Sequence, residues 1–257
     1  MASLSDQRPA SEAVEDCAKA IYSLERRGSG GAAVSTNDVA HRLGVTAASA
    51  SAMMKKLDAL GLASHEPYHG IRLTPAGVRV ALEVLRHHRL LELYLTEELG
   101  LPWDRVHAEA EVLEHVISEE LEERIAAKLG DPRLDPHGDP IPARDLTVRE
   151  TTTSSLDECE TGVVGRFVRV SDADPAMLRY LADREIRPGQ SFRVTGKQPF
   201  GGPTFATFGD ALTVHALGGD LTRAVAWIHC RFIVGLATML AWLAWRSCMR
   251  QLAAASH

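Results

Sequence analysis

Cysteine is scarce and scattered. Cys17, Cys159, Cys230 and Cys248 show no CxxC spacing, which favours a reducing cytosol over a disulfide framework. Residues 1–16 hold no apolar core after a basic cluster, so a secretory leader is not expected. No internal repeat is visible. Positive excess is lacking too: 28 Lys and Arg face 34 Asp and Glu, a net charge of −6. Taken whole, that balance argues against a nucleic-acid binder. What is present is a chain of 257 residues, 45% apolar and 24% charged. Those values describe a soluble globular protein with room for two or three domains.

The charge is unevenly spread. Residues 1–80 carry 9 basic and 8 acidic side chains, residues 81–150 carry 8 and 17, and residues 151–257 carry 11 and 9. The acid therefore sits in one central segment, together with histidines. Carboxylate and imidazole in excess are what a divalent cation needs, although an acidic face exposed to water would look the same by charge alone.

Hydrophobic spacing and caps predict the elements. Ser11 to Arg27 carries a helical stripe of Val14, Ala18, Ile21, Tyr22 and Leu24, ended by a Gly-rich stretch. Ser35 caps a helix from Thr36 to Leu43, and Gly44 breaks it. Thr46 opens a third helix to about Leu60, closed by Gly61. Helix, short Gly turn, helix is the helix-turn-helix pattern. Two short strands, Leu62–His65 and Ile71–Leu73, read as a wing. Thr74 and Pro75 start a long fourth helix to about Leu99. A fifth helix is expected from Asp104 to Leu129, with an apolar stripe of Leu113, Val116, Ile117, Leu121 and Ile125. Residues 130–160, rich in Pro, Gly, Asp and Thr, read as loop and linker. Beyond Gly162, runs at Val163–Val170, Ser191–Val194, Phe205–Phe208 and Ala211–Ala216, with a helix at Asp174–Ala182, suggest a small β-barrel.

The fifth helix carries the strongest chemical signal. At 100° per residue, His107, Glu111, Glu114 and His115 fall on one face. His88 and Glu92 form an i, i+4 pair on the fourth helix. A lone histidine is more often a satisfied polar group than a ligand. Six ligand-type residues in phase on neighbouring helices point to a metal site. His87 and Glu109 fall out of phase and read as surface residues.

Three runs are more specific: His88-Arg89-Leu90-Leu91-Glu92, the segment from Gly100 to Ala110, and Leu113-Glu114-His115-Val116-Ile117-Ser118. With the loop Pro136-His137-Gly138-Asp139-Pro140-Ile141-Pro142, they resemble the diphtheria-toxin-repressor family of metal-dependent regulators. The resemblance covers roughly residues 10–222. It implies a mainly α protein: a winged helix-turn-helix (1–80), helices for metal binding and dimerisation (81–150), a linker (151–161), and a small SH3-like β-barrel (162–222). By the same resemblance, a primary site would use Asp16, Glu111, Glu114 and His115. An ancillary site would use His88, Glu92 and His107, with Asp172 or Asp174 as a further ligand. An Asx turn or helix cap before Pro175 is the plainer role for those two aspartates.

Iron-type members of the family place methionine and cysteine where this chain has Asp16 and Glu111. Hard carboxylate oxygens suit Mn²⁺, so the expected corepressor is Mn²⁺, with Fe²⁺ as the alternative. Binuclear manganese regulators carry another glutamate one turn after the first aspartate, where this chain has Lys19. The third helix, TAASASAMMKK, also departs from the family, which often has prolines and a glutamine there. Ser35, Thr46, Ser49, Ser51, Lys55 and Lys56 remain as groups for phosphates or base edges. The expected partners are a double-stranded operator and a second copy of the chain, with no small-molecule substrate. A metal-dependent hydrolase is the rival from another class, since His and Glu clusters also activate water. Past Arg223 the resemblance ends. Phe232–Trp245 is fourteen residues without a charge, about 21 Å of helix and short of a membrane span. A cytoplasmic protein is expected.

Overall fold

The computed structural model describes residues 11–27, 33–66 and 69–229. The apolar run Phe232–Trp245 lies outside them. The chain forms two compact units, Met1–Glu150 and Thr151–His257.

In the first unit, α1 (Glu12–Arg27), α2 (Thr36–Leu43) and α3 (Ala47–Ala59) precede a hairpin of β1 (Ala63–Glu66) and β2 (Gly70–Leu73). The caps follow the sequence. Ser35 accepts the Asp38 N–H and Thr46 accepts the Ser49 N–H, each supplying a partner for an unpaired first-turn donor. Gly44 closes α2 at φ 64°, a left-handed conformation that glycine adopts without steric cost. Val34 exchanges two backbone hydrogen bonds with Ile71, adding a third short segment to the hairpin. One core gathers Val14, Cys17, Ala18 and Ile21 of α1, Val39 of α2, Ala50, Met54 and Leu57 of α3, and Ile71 of β2. This is a winged helix-turn-helix.

Helix α4 (Pro75–Glu97) is the spine of the unit. Ala81, Leu82 and Leu85 complete the winged-helix core, while Leu90, Leu91 and Leu93 pack with Ala110, Ile125, Ala126 and Ile141 in a second core. The expected boundary at residues 80/81 therefore falls inside one continuous helix. Its start is pressed against the wing: a Cβ on Gly77 would lie 1.9 Å from the Leu62 carbonyl oxygen.

The expected fifth helix is two helices, α5 (Val106–Leu113) and α6 (Glu119–Lys128). Ser118 caps α6 through the Leu121 N–H, so the chain leaves the first helical path and starts a second. Residues 130–150 are not a loose linker either. The Asp135 carboxylate accepts the N–H groups of His137 and Asp139, Arg89 donates to the Pro140 carbonyl, and Arg86 donates to the Pro142 carbonyl. Leu146 and Val148 return to the winged-helix core.

The second unit contains β3 (Ser154–Ser155), β4 (Val164–Val170), α7 (Pro175–Ala182), β5 (Ser191–Lys197), β6 (Thr204–Phe208), β7 (His215–Leu217), α8 (Gly219–Ala224) and β8 (Val225–His229). The sheet order is β3-β8-β4-β5-β6-β7, with every neighbouring pair antiparallel. Two expectations change. Among the described residues the ladder does not close, so β3 and β7 are edges of a bulged sheet and not staves of a barrel. The unit also extends past both expected limits, 162 and 222. Residues 154–158 supply a strand and a 3-10 turn that buries Leu156, and β8 pairs with both β3 and β4. Of Ala211–Ala216, only residues 215–216 enter a strand, β7.

Candidate metal centre

The expected ligands of the first unit converge. From α1, Asp16 reaches the segment after α5, where its Oδ1 lies 3.1 Å from His115 Nε2. Glu114 Oε1 lies 3.4 Å from the same ring nitrogen. Asp16, Glu114 and His115 each offer a donor atom within 4.8 Å of the others, a spacing that one ion can span. The break after α5 makes this possible. Glu114 is the helix cap and His115 follows it, so neither direction is set by a continuous helix.

Three further residues form a second group. His88 Nε2 lies 3.0 Å from Glu92 Oε1 and 3.0 Å from His107 Nδ1, and His107 Nδ1 lies 3.2 Å from Glu92 Oε1. The expected allocation of Glu111 shifts. Its Oε1 belongs to a donor set with His88 and Glu114, 3.8 Å from His88 Nδ1, and it is absent from the set around Asp16.

Lys19 stands one turn after Asp16 on α1 and enters the same cluster. Its Nζ donates to Glu111 at 2.8 Å and to Glu114 at 2.5 Å. Burial works against the charges on Lys19 and Glu111, but Glu114 and Glu111 together outweigh it for the lysine, which is raised, and Lys19 with His88 and His107 outweighs it for Glu111, whose carboxyl is lowered. Asp16 differs. Burial raises its carboxyl, and His115 and Lys19 offset this only in part. His88 is nearly enclosed, which opposes its charge, yet Glu92 and Glu114 override this and hold it up at about 9. Without a metal, His88 is therefore an imidazolium near neutral pH.

Several participants were not expected. Glu15 Oε2 sits 2.7 Å from His115 Nδ1 and fixes the ring from behind, as a carboxylate commonly does for a metal-binding histidine. His87 is not a surface residue: its side chain is 12% exposed, 2.8 Å from Glu122 and 3.2 Å from the Glu114 carbonyl. His137, stacked on Trp103, lies 3.6 Å from Glu92 through Nδ1 and 2.8 Å from the Trp103 carbonyl through Nε2. The run Pro136 to Pro142 held that signal, but no periodicity links it to Glu92. Glu109 is exposed, as expected.

In the second unit, Asp174 caps α7 by accepting the Ala176 N–H at 2.8 Å, the plainer of its two expected roles. Asp172 lies in the bend before it. In the winged helix, the cap Thr46 is exposed, as are Ser49, Lys55 and Lys56 on α3 with Ala47, Ala48 and Ala52, while Ser51 is half-buried. Ser35 is exposed and bonded to Asp38, and Lys56 donates to Ser11.

Comparison with known proteins agrees with this architecture. Residues 10–71 match the N-terminal DNA-binding domain of iron-dependent repressors, residues 74–143 their metal-binding and dimerisation domain, and residues 154–216 the FeoA domain. The diphtheria toxin repressor of Corynebacterium diphtheriae is 31% identical over 168 residues, 65% of this chain and 70% of its own length. The iron-dependent repressor IdeR of Mycobacterium tuberculosis is 36% identical over 124 residues, 48% of this chain. The match spans about half, 53%, of that repressor's length. A solved manganese-dependent transcriptional repressor in complex with manganese superposes with a TM-score of 0.77 at 41% identity, covering 84% of this chain and 99% of that one. Fold and site define a winged-helix protein with a divalent-metal centre. The chain belongs to the iron-dependent repressor family, that of the diphtheria toxin repressor.

Proposed function

We propose that this protein is a metal-dependent, DNA-binding transcriptional repressor that uses Mn²⁺ as corepressor and controls metal-uptake genes. The observation that carries the reading is the meeting of Asp16, on the first helix of the winged helix, with Glu114 and His115. A bound divalent cation would supply the positive charge that lets these carboxylates share one space. Asp16 then ties α1 to the end of α5, and α1 shares a core with α2 and α3. His88, Glu92 and His107 are the proposed ancillary ligands. Metal favours DNA binding only to the extent that it prefers the DNA-competent arrangement.

The donor chemistry favours manganese over iron. Oxygen and imidazole make up every candidate donor set among the described residues, and no thiol enters one. Cys17, next to Asp16, is buried in the winged-helix core with its thiol pushed up to about 11, unsuited to ligation. The manganese complex of the 41%-identical repressor supports the same ion.

On this reading the partners are a double-stranded operator and a second copy of the chain, in the cytoplasm. Lys55 and Lys56 would bind phosphates, and the exposed alanines and hydroxyls of α3 would face base edges. No described helix is long and apolar enough to cross a membrane. The test is an anaerobic titration of Mn²⁺ and Fe²⁺ into protein and a DNA fragment selected by the metal-loaded protein. Mn²⁺-dependent retention is expected. Retention with Fe²⁺ alone would establish the iron-dependent alternative, and hydrolysis without DNA retention the enzymatic one.

A further inference from the structure

Two donor sets meet at Glu114: Asp16, Glu114 and His115 on one side, His88, Glu111 and Glu114 on the other. By spacing alone, each could hold an ion. Lys19 contacts both but engages them unequally. Its ammonium touches two of the three residues of the second set, Glu111 at 2.8 Å and Glu114 at 2.5 Å, but only Glu114 in the first. The Glu114 contact is sheltered, with the Lys19 side chain 12% exposed and Glu114 fully buried, while Glu111 is 40% exposed. Water therefore screens the ammonium poorly.

From this geometry we infer that Lys19 is a tethered cation that fills the His88–Glu111–Glu114 set and limits the primary site to one divalent ion, on the Asp16–Glu114–His115 side, apart from an ion on the ancillary ligands His88, Glu92 and His107. The inference rests on the proposed metal-binding function and adds the stoichiometry of the site. An ion in the second set would have to displace the ammonium from Glu111 while lying close to its charge. An ion in the first set shares Glu114 Oε1 with the ammonium but leaves the Lys19–Glu111 pair intact. The lysine also neutralises carboxylate charge that a second divalent ion would otherwise balance, so it acts as a specificity-determining residue and not as a ligand.

The test compares full-length wild type with Lys19→Met and Lys19→Gln. Bound Mn²⁺ per chain is measured by anaerobic equilibrium dialysis and elemental analysis at saturating free metal. Manganese EPR then reports whether two ions are close enough to couple. Both variants are expected to hold one more ion per chain than wild type and to show coupling that wild type lacks. Loss of structure cannot mimic this, because damage removes ions and does not add a coupled one; if Lys19→Met fails to fold, Lys19→Gln decides. Equal, non-zero counts in wild type and the folded variants would overturn the inference and leave the proposed function standing. A wild type that binds no Mn²⁺ would overturn the proposed function and this inference with it.

Discussion

Asp16 would be an unremarkable half-exposed carboxylate were it not 3.1 Å from His115. Replacing it with alanine should abolish Mn²⁺-dependent DNA retention while leaving the fold intact, since Val14, Cys17 and Ala18 hold α1 in its core. Fluorescence anisotropy with and without Mn²⁺ checks this, and unchanged retention would sink the proposed role. Exchanging Asp16 for Met together with Glu111 for Cys removes a hard carboxylate from each of the two donor sets that meet at Glu114 and adds soft donors in their place. That double variant should lose its Mn²⁺ response and gain one to Fe²⁺ or Co²⁺. His88 makes a second prediction. Its ordinary value is 6.5, and in the metal-free fold it stands at about 9. Below 6.5 both folded and unfolded chains hold the proton and the stabilisation is complete. Between 6.5 and 9 only the folded chain holds it, so metal-free stability falls as pH rises. A ligating nitrogen must be free of its proton, so the increase in Tm on adding Mn²⁺ should grow over the same window. Anaerobic melts at several pH values measure both slopes, and a metal-free Tm that rises toward pH 9 would contradict the assignment.

At the scale of elements, α4 and its neighbours decide the geometry. Arg86 bridges α4 to α6 through Glu122 at 2.5 Å and reaches the Pro142 carbonyl at 2.7 Å, all out of water. Replacing Arg86 with Met leaves the Glu122 charge to His87 alone. The change should cost about 3–5 kcal/mol, typical of breaking a buried pair, as read by urea unfolding. Helix α3 depends on its surface. Lys55 and Lys56 are exposed, and replacing both with alanine should weaken binding to all DNA sequences alike. The slope of log K against log salt should flatten by roughly one unit per lost phosphate contact. An unchanged slope would mean that these lysines do not face the duplex. The break between α5 and α6 was not visible in the apolar periodicity, because Leu113, Val116, Ile117 and Leu121 suit one continuous helix. Ser118 followed by Glu119, Glu120 and Glu122 is the signal that could have shown it: a cap followed by an acidic first turn.

For the whole molecule, the exposed apolar side chains of the first unit point to self-association. Val112, Leu113, Val116 and Leu121 are 70%, 36%, 62% and 50% exposed and cluster from α5 to the start of α6. Trp103 takes no part in that surface, because it is buried against His137. A Val116→Asp, Leu121→Asp variant should sediment as a monomer at micromolar concentration while the wild type sediments as a dimer; equal sedimentation would exclude this face as the interface. The sequence by itself determined the winged helix, because its caps, glycines and apolar spacing are local and agree with the fold. It also determined the candidate ligands, since Asp16, His88, Glu92, His107, Glu111, Glu114 and His115 are the residues that converge. Only the tertiary structure decided their grouping. Glu111 turns to His88 and Lys19, Glu15 backs His115, and His137 stands behind Glu92. These pairs lie up to 100 residues apart along the chain, and helical phase relates only residues within one element. Which carboxylate faces which cation follows from where the α5 helix stops and how α1 packs across α4.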